Sequence, residues 1–201
     1  MRTRIQSGSL NTAADFIATL SFNSIIPSKE HHIGRSRLWG IYAKEFAALK
    51  PTLSEFNQAK ISTRLSADTI ALMEARLNSK NLKTASEFLE TLKNPFAQPK
   101  TEFINALSGL WIQFADDFAK LNPTNEEFKK ALLAASPRPD AVALIKARLK
   151  FNPTLSADDI IATFEPKDLG ASQELLAAID SLRNEYLSAK MLKPATKAPV
   201  R

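Results

Sequence analysis

His31 and His32 are the only histidines in the chain, and no cysteine accompanies them. Metal binding needs ligands that converge, whereas adjacent helical positions point about 100° apart. Three adjacent acid pairs, Asp116–Asp117, Glu126–Glu127 and Asp158–Asp159, offer the next candidates. Carboxylates that share acid–base work face each other across a substrate with separated pKa values. Adjacent acids on a helix diverge, and two of these pairs fall in first-turn positions that suit the helix dipole. No glycine-rich phosphate loop, GxSxG elbow or HExxH helix is present. The expectation is a protein with no catalytic residue, no metal site and no cofactor.

Two aromatic stripes are the remaining chemical candidates. Trp39, Tyr42 and Phe46 stand at i, i+3 and i+7, and Trp111, Phe114 and Phe118 repeat that spacing. On a helix each set forms one face. Such a face can stack bases, but the same stripe in two places points to core. Arg76 and Arg148 also recur at matching places and are expected to form ion pairs that join helices.

These residues need helices to position them, and the composition supplies helix formers. Ala, Leu, Lys and Glu are abundant, while 201 residues include only five Gly. No apolar run approaches the roughly 18 residues of a membrane span, and no signal peptide is visible at the start. The net charge of +6 comes from the ends. Arg2, Arg4, Lys190, Lys193, Lys197 and Arg201 account for it, leaving 21 basic against 21 acidic residues in the body. A nucleic-acid binder more often carries a basic face on its folded part, so nucleic acid is not the expected partner.

Sliding the chain by 72 residues aligns 10–81 on 82–153 without a gap and gives 26 identities. Chance would give roughly four at ordinary residue usage. A third, partial copy starts at Thr154, where the Trp position becomes Arg183, as befits a terminal cap on an array. The expected fold is all-α: tandem helical-bundle repeats with a period of about 72 residues, two full copies and a partial C-terminal capping copy. Each copy reads as four helices. The first spans about 13–20 or 85–92, and the second, bearing the Trp stripe, about 30–49 or 102–121. The third buries Phe56 or Phe128, and the fourth spans about 68–78 or 140–150. Thr12 with Asp15, Thr84 with Glu87, Ser156 with Asp159, Thr52 with Glu55 and Thr124 with Glu127 have the spacing of N-cap and N3 partners. The divisions are a flexible tail at 1–9, modules at 10–95 and 96–166, a closing amphipathic helix at 167–191 and a basic flexible tail at 192–201. Leu175, Ile179, Leu182 and Tyr186 form the stripe of that closing helix.

The pattern W-x-x-[YF]-x-x-x-F before a short linker and Pro resembles the tandem WY and LWY repeats of oomycete RXLR effectors. The Phe-bearing third helix, the D-x-[hydrophobic] start of the fourth and L-x-[ST]-A-[DS]-[DE]-[hydrophobic] continue the likeness over about residues 10 to 190. The resemblance implies a secreted pathogen protein that acts in the host cell cytoplasm or nucleus. It implies a leader ahead of this chain, host plant proteins as partners, suppression of immunity and recognition by a plant immune receptor.

Between the copies the core positions agree, while EHHIGRSR at 30–37 differs from EFINALSG at 102–109. Partner contacts are therefore expected at His31, His32, Arg35 and Arg37, and on the exposed sides of the third helices. Two other readings of the sequence are an intracellular helical adaptor and a nucleic-acid binder acting through the basic tails.

Overall fold

The computed structural model describes residues 10–20, 28–135, 139–152, 159 and 173–191. Among these residues it contains eleven helices and no strand. The first unit comprises α1 (Ala13–Leu20), α2 (Lys29–Ile41), α3 (Ala43–Ala48), α4 (Leu53–Ser62) and α5 (Ser66–Asn78). The second comprises α6 (Ala85–Leu92), α7 (Thr101–Gln113), α8 (Ala115–Lys120), α9 (Asn125–Ala134) and α10 (Pro139–Phe151). A last helix, α11, spans Gln173–Met191. The expectations for the two tails, the first helix of the third copy and the cap by Ser156 fall outside the described residues.

Each unit closes around three aromatic rings. Phe16, Trp39 and Phe46 meet with centroids 5.1–5.6 Å apart, the Trp39–Phe46 pair edge to face. Phe88, Trp111 and Phe118 repeat the cluster at 5.2–5.9 Å. Trp39 is 0 % exposed and Trp111 1 %. The Trp faces are therefore core and not a stacking surface. Among the described residues neither indole Nε1 has a hydrogen-bond partner, so the rings serve by volume and shape. Phe56 and Phe128 are also buried. Tyr42 departs from its expected core place and is only half-buried, whereas its counterpart Phe114 is buried. A phenol keeps its hydroxyl near water where a phenyl ring does not need to.

The Trp helix, expected as one piece, is two. Tyr42 (φ −104°, ψ 23°) and Phe114 (φ −108°, ψ 14°) leave helical geometry at the same place in each unit. Each piece is hydrogen-bonded up to the bend: Tyr42 N donates to Leu38 O at the end of α2, and Phe46 N donates to Tyr42 O at the start of α3, both at 3.0 Å. The bend lets Trp39 and Phe46 turn toward the ring from α1. Helix α11 has Arg183 in the Trp place and runs unbroken through Tyr186.

Local signals end the helices largely as expected. Thr52 and Thr124 form full capping boxes with Glu55 and Glu127. The Thr124 amide, bonded to Glu127, holds that carboxyl below its usual range. At α6 the Glu87 amide donates to Thr84, but the Glu87 carboxylate accepts from the Lys83 amide at 2.8 Å instead of Thr84's. Lys50 (φ 52°) and Asn122 (φ 50°) take left-handed turns just before Pro51 and Pro123, and so end α3 and α8.

The units join by burying α4 and α5 of the first under α6 and α7 of the second. On the far side, α11 packs on α10. Within each unit a serine clamps the Trp helix to the fifth helix. Ser36 donates to Asp68 at 2.7 Å and accepts from the Arg64 and Leu65 amides at 3.0 Å each. Ser108 donates to Asp140 at 2.6 Å. Asp140 is buried, and desolvation pushes its carboxyl up, partly offset by the Ser108 hydrogen bond. In the first unit the approach is closest at Gly40, where an added Cβ would lie 2.4 Å from Asp68 Oδ1.

Two substitutions test this account by chemical denaturation. Trp111→Ala should destabilise the protein by roughly 3–5 kcal/mol, because it empties the centre of a packed cluster. Ser36→Ala should cost about 1–3 kcal/mol, since it removes the acceptor of two amides and a donor to Asp68. A melting temperature unchanged by Trp111→Ala would mean that the ring is not core.

Candidate interaction surface

The four residues expected to touch a partner lie on α2, which starts at Ser28, whose hydroxyl accepts from the His31 amide. His31 is exposed in the first turn. His32 is half-buried, with Nδ1 3.3 Å from Arg35 Nη2. Arg35 is half-buried as well, and Arg37 is exposed. Residues two apart on a helix face nearly opposite ways, so Arg35 and Arg37 do not form one patch. The structure brings His32 and Arg35 together and leaves Arg37 apart.

Packing gives this stretch a structural explanation. In the second unit α7 lies against α5 of the first. Its positions Phe103 and Leu110 are buried, Leu107 is half-buried, and Phe103 meets Phe96 edge to face at 5.0 Å. The equivalent positions on α2 are His31, Leu38 and Arg35. Among the described residues no helix packs on this face of α2 as α5 packs on α7, and polar side chains suit it.

The third helices show a different feature. Ile61 on α4 is 71 % exposed, and Leu133 at the same place on α9 is exposed too. Along α4, Leu53, Asn57 and Ile61 follow one face at i, i+4 and i+8, with Ser54, Gln58 and Ser62 beside them as a shallow groove. Asn57 Oδ1, within that face, accepts no hydrogen bond. The sequence placed contacts on the exposed sides of these helices but did not single out Ile61. The visible signal was an isoleucine and a leucine at equivalent positions off the buried stripe.

The ionisable groups in the interior hold helices together. Arg76 donates from Nη1 to Pro51 O at 2.9 Å and lies 4.6 Å over the Phe56 ring. Arg148 bonds Asn125 Oδ1 and lies 4.2 Å over Phe128. The expected ion pairs are not among the described contacts: the direct partners are a backbone carbonyl and an amide oxygen. Desolvation lowers both guanidinium pKa values, and the charges of Glu87 and Asp159 oppose that shift. Lys60 was not anticipated from sequence. It is 4 % exposed, and its Nζ donates to Glu90 O at 2.6 Å, bridging α4 to α6 across the unit boundary. Its counterpart is Leu132, also buried, so the site accepts hydrocarbon alone.

Among the described residues no group of three or more side chains converges as a metal site. No helix of those residues is long and apolar enough to cross a membrane. Neither protein-family models, nor characterised proteins, nor solved structures show a significant match to the chain.

Burial pushes the Lys60 ammonium from its usual 10.5 down to about 8. The unfolded chain therefore holds this proton more tightly, and the group adds stability as pH rises from 8 toward 10.5. Denaturation of the wild type and Lys60→Leu should show the difference between them moving toward the wild type by about 1–3 kcal/mol from pH 7 to 10. A difference that does not vary with pH would mean that the amine is not desolvated.

Proposed function

We propose that the chain is a non-catalytic scaffold of the WY effector type. It is secreted by a pathogen, enters the host cell cytoplasm or nucleus and binds host plant proteins to suppress immunity. The resemblance in the Trp-stripe motifs supports this reading. The observation that carries it is the pairing of near-identical cores with different surfaces. Phe16, Trp39 and Phe46 match Phe88, Trp111 and Phe118 in type and spacing. Around them, the outer residues of the third helices differ: Ser54, Asn57 and Gln58 of α4 correspond to Glu126, Lys129 and Lys130 of α9. A core that holds its shape while outer positions change is what a recognition scaffold needs, because affinity resides in a few exposed anchors. Ile61 on α4 is the best-placed apolar anchor of this kind, with Leu53 and Asn57 beside it.

Expression in leaf cells challenged with a bacterial elicitor peptide provides the test. The wild type should reduce the burst of reactive oxygen, and Ile61→Glu should restore it while keeping the wild-type melting temperature. A full burst in the presence of well-expressed wild-type protein would overturn the effector reading. Suppression unaffected by Ile61→Glu would remove α4 from the contact surface.

A further inference from the structure

The two units treat their buried arginine differently. In the second, Arg148 bonds the side chain of Asn125, whose own Nδ2 donates to Asp159 Oδ1 at 2.6 Å. In the first, the place of Asn125 is Leu53, and among the described residues no side-chain oxygen bonds Arg76. Arg76 is 6 % exposed, and among the described residues it gives a hydrogen bond only to the Pro51 carbonyl. A guanidinium carries five N–H donors, so most of its capacity is unspent. The space before it is a cavity of about 350 Å³ between α4, α5 and α6, whose lining includes Lys50, Leu53, Arg76, Ser79, Lys83 and Glu87. Three cations against one carboxylate leave the wall positive. The Glu87 carboxylate is itself engaged with the Lys83 amide. The second unit has Phe151 where the first has Ser79, and that ring lies 5.1 Å from Lys120 Nζ and 4.7 Å from Lys150 Nζ. A neighbouring Lys150–Asp116 ion pair at 2.7 Å ties the same region together.

We propose that the cavity between the two units is a binding site for a small oxyanion, a phosphate or carboxylate group held by Arg76 with Lys50 and Lys83 at its mouth. The ligand would supply to Arg76 the acceptor that Asn125 supplies to Arg148. Its size suits a small molecule, since such sites begin at about 300 Å³, and a planar guanidinium receives two oxygens side by side. The site shares Leu53 with the α4 groove but does not rest on any role in host cells.

Thermal unfolding of the full chain tests the assignment with inorganic phosphate and with succinate, each against sodium chloride at equal ionic strength. The melting temperature should rise and saturate in the millimolar range with at least one of the two. A response to phosphate alone assigns the phosphate class, and a response to succinate alone assigns the carboxylate class. The double substitution L53N/S79F installs the second unit's own residues and should abolish the response while keeping the helical circular dichroism. Should that variant fail to fold, Lys83→Leu, which takes the residue found one period on at Leu155, should weaken the response several-fold. The proposal is overturned if neither anion exceeds sodium chloride. It is equally overturned if the filled variant, or Lys83→Leu in its place, responds like the wild type.

Discussion

Each unit depends on burying a tryptophan between two phenylalanines contributed by different helices. Trp39 meets Phe16 from α1 and Phe46 from α3, and Trp111 meets Phe88 and Phe118 in the same way. Aromatic rings this close gain from tilted and edge-to-face geometry as well as from the area they remove from water. Meeting that geometry requires the Trp helix to bend, because a straight helix would hold its i and i+7 positions on one line. The bends at Tyr42 and Phe114 follow from this demand, and the amides of Tyr42 and Phe114 still close the last turn of the helix before each bend. The third copy has Arg183 in the Trp place and no bend in α11.

The second constraint is that neither unit is complete alone. The fourth and fifth helices of the first are covered by the second, and those same helices hold Lys60 and Arg76. Polar groups at such a boundary must be satisfied across it, and Lys60 reaches the Glu90 carbonyl to do so. Arg76 is satisfied only in part, which is why the boundary holds a charged cavity where the next unit holds Asn125 and Phe151. One backbone plan thus carries two different fillings, and the differences fall at the junction and on the outer face of α4.

The Ser–Asp clamp recurs in both copies, yet its pairing is not written along the chain. Ser36, Asp68 and their counterparts Ser108 and Asp140 are among the identities between the copies. Two polar residues 32 positions apart carry no periodicity, so nothing in the sequence marks them as partners. Their pairing exists only because α2 lies on α5 and α7 on α10.

The sequence by itself determined the all-helical class, the places of the described helices, the capping boxes at Thr52 and Thr124 and the burial of both tryptophans. These properties are local: apolar spacing and cap chemistry act within one or two turns. Tertiary structure alone decided the bends at Tyr42 and Phe114, which no Pro signals, and the half-burial of Tyr42. It also decided that His31 and Arg35 occupy the face that α7 uses for packing. The burial of Lys60 and the open cavity at Arg76 belong to the same class. Each depends on residues 25 to 30 positions away brought close by packing, and a pattern read along one helix contains no information about what the next helix places against it.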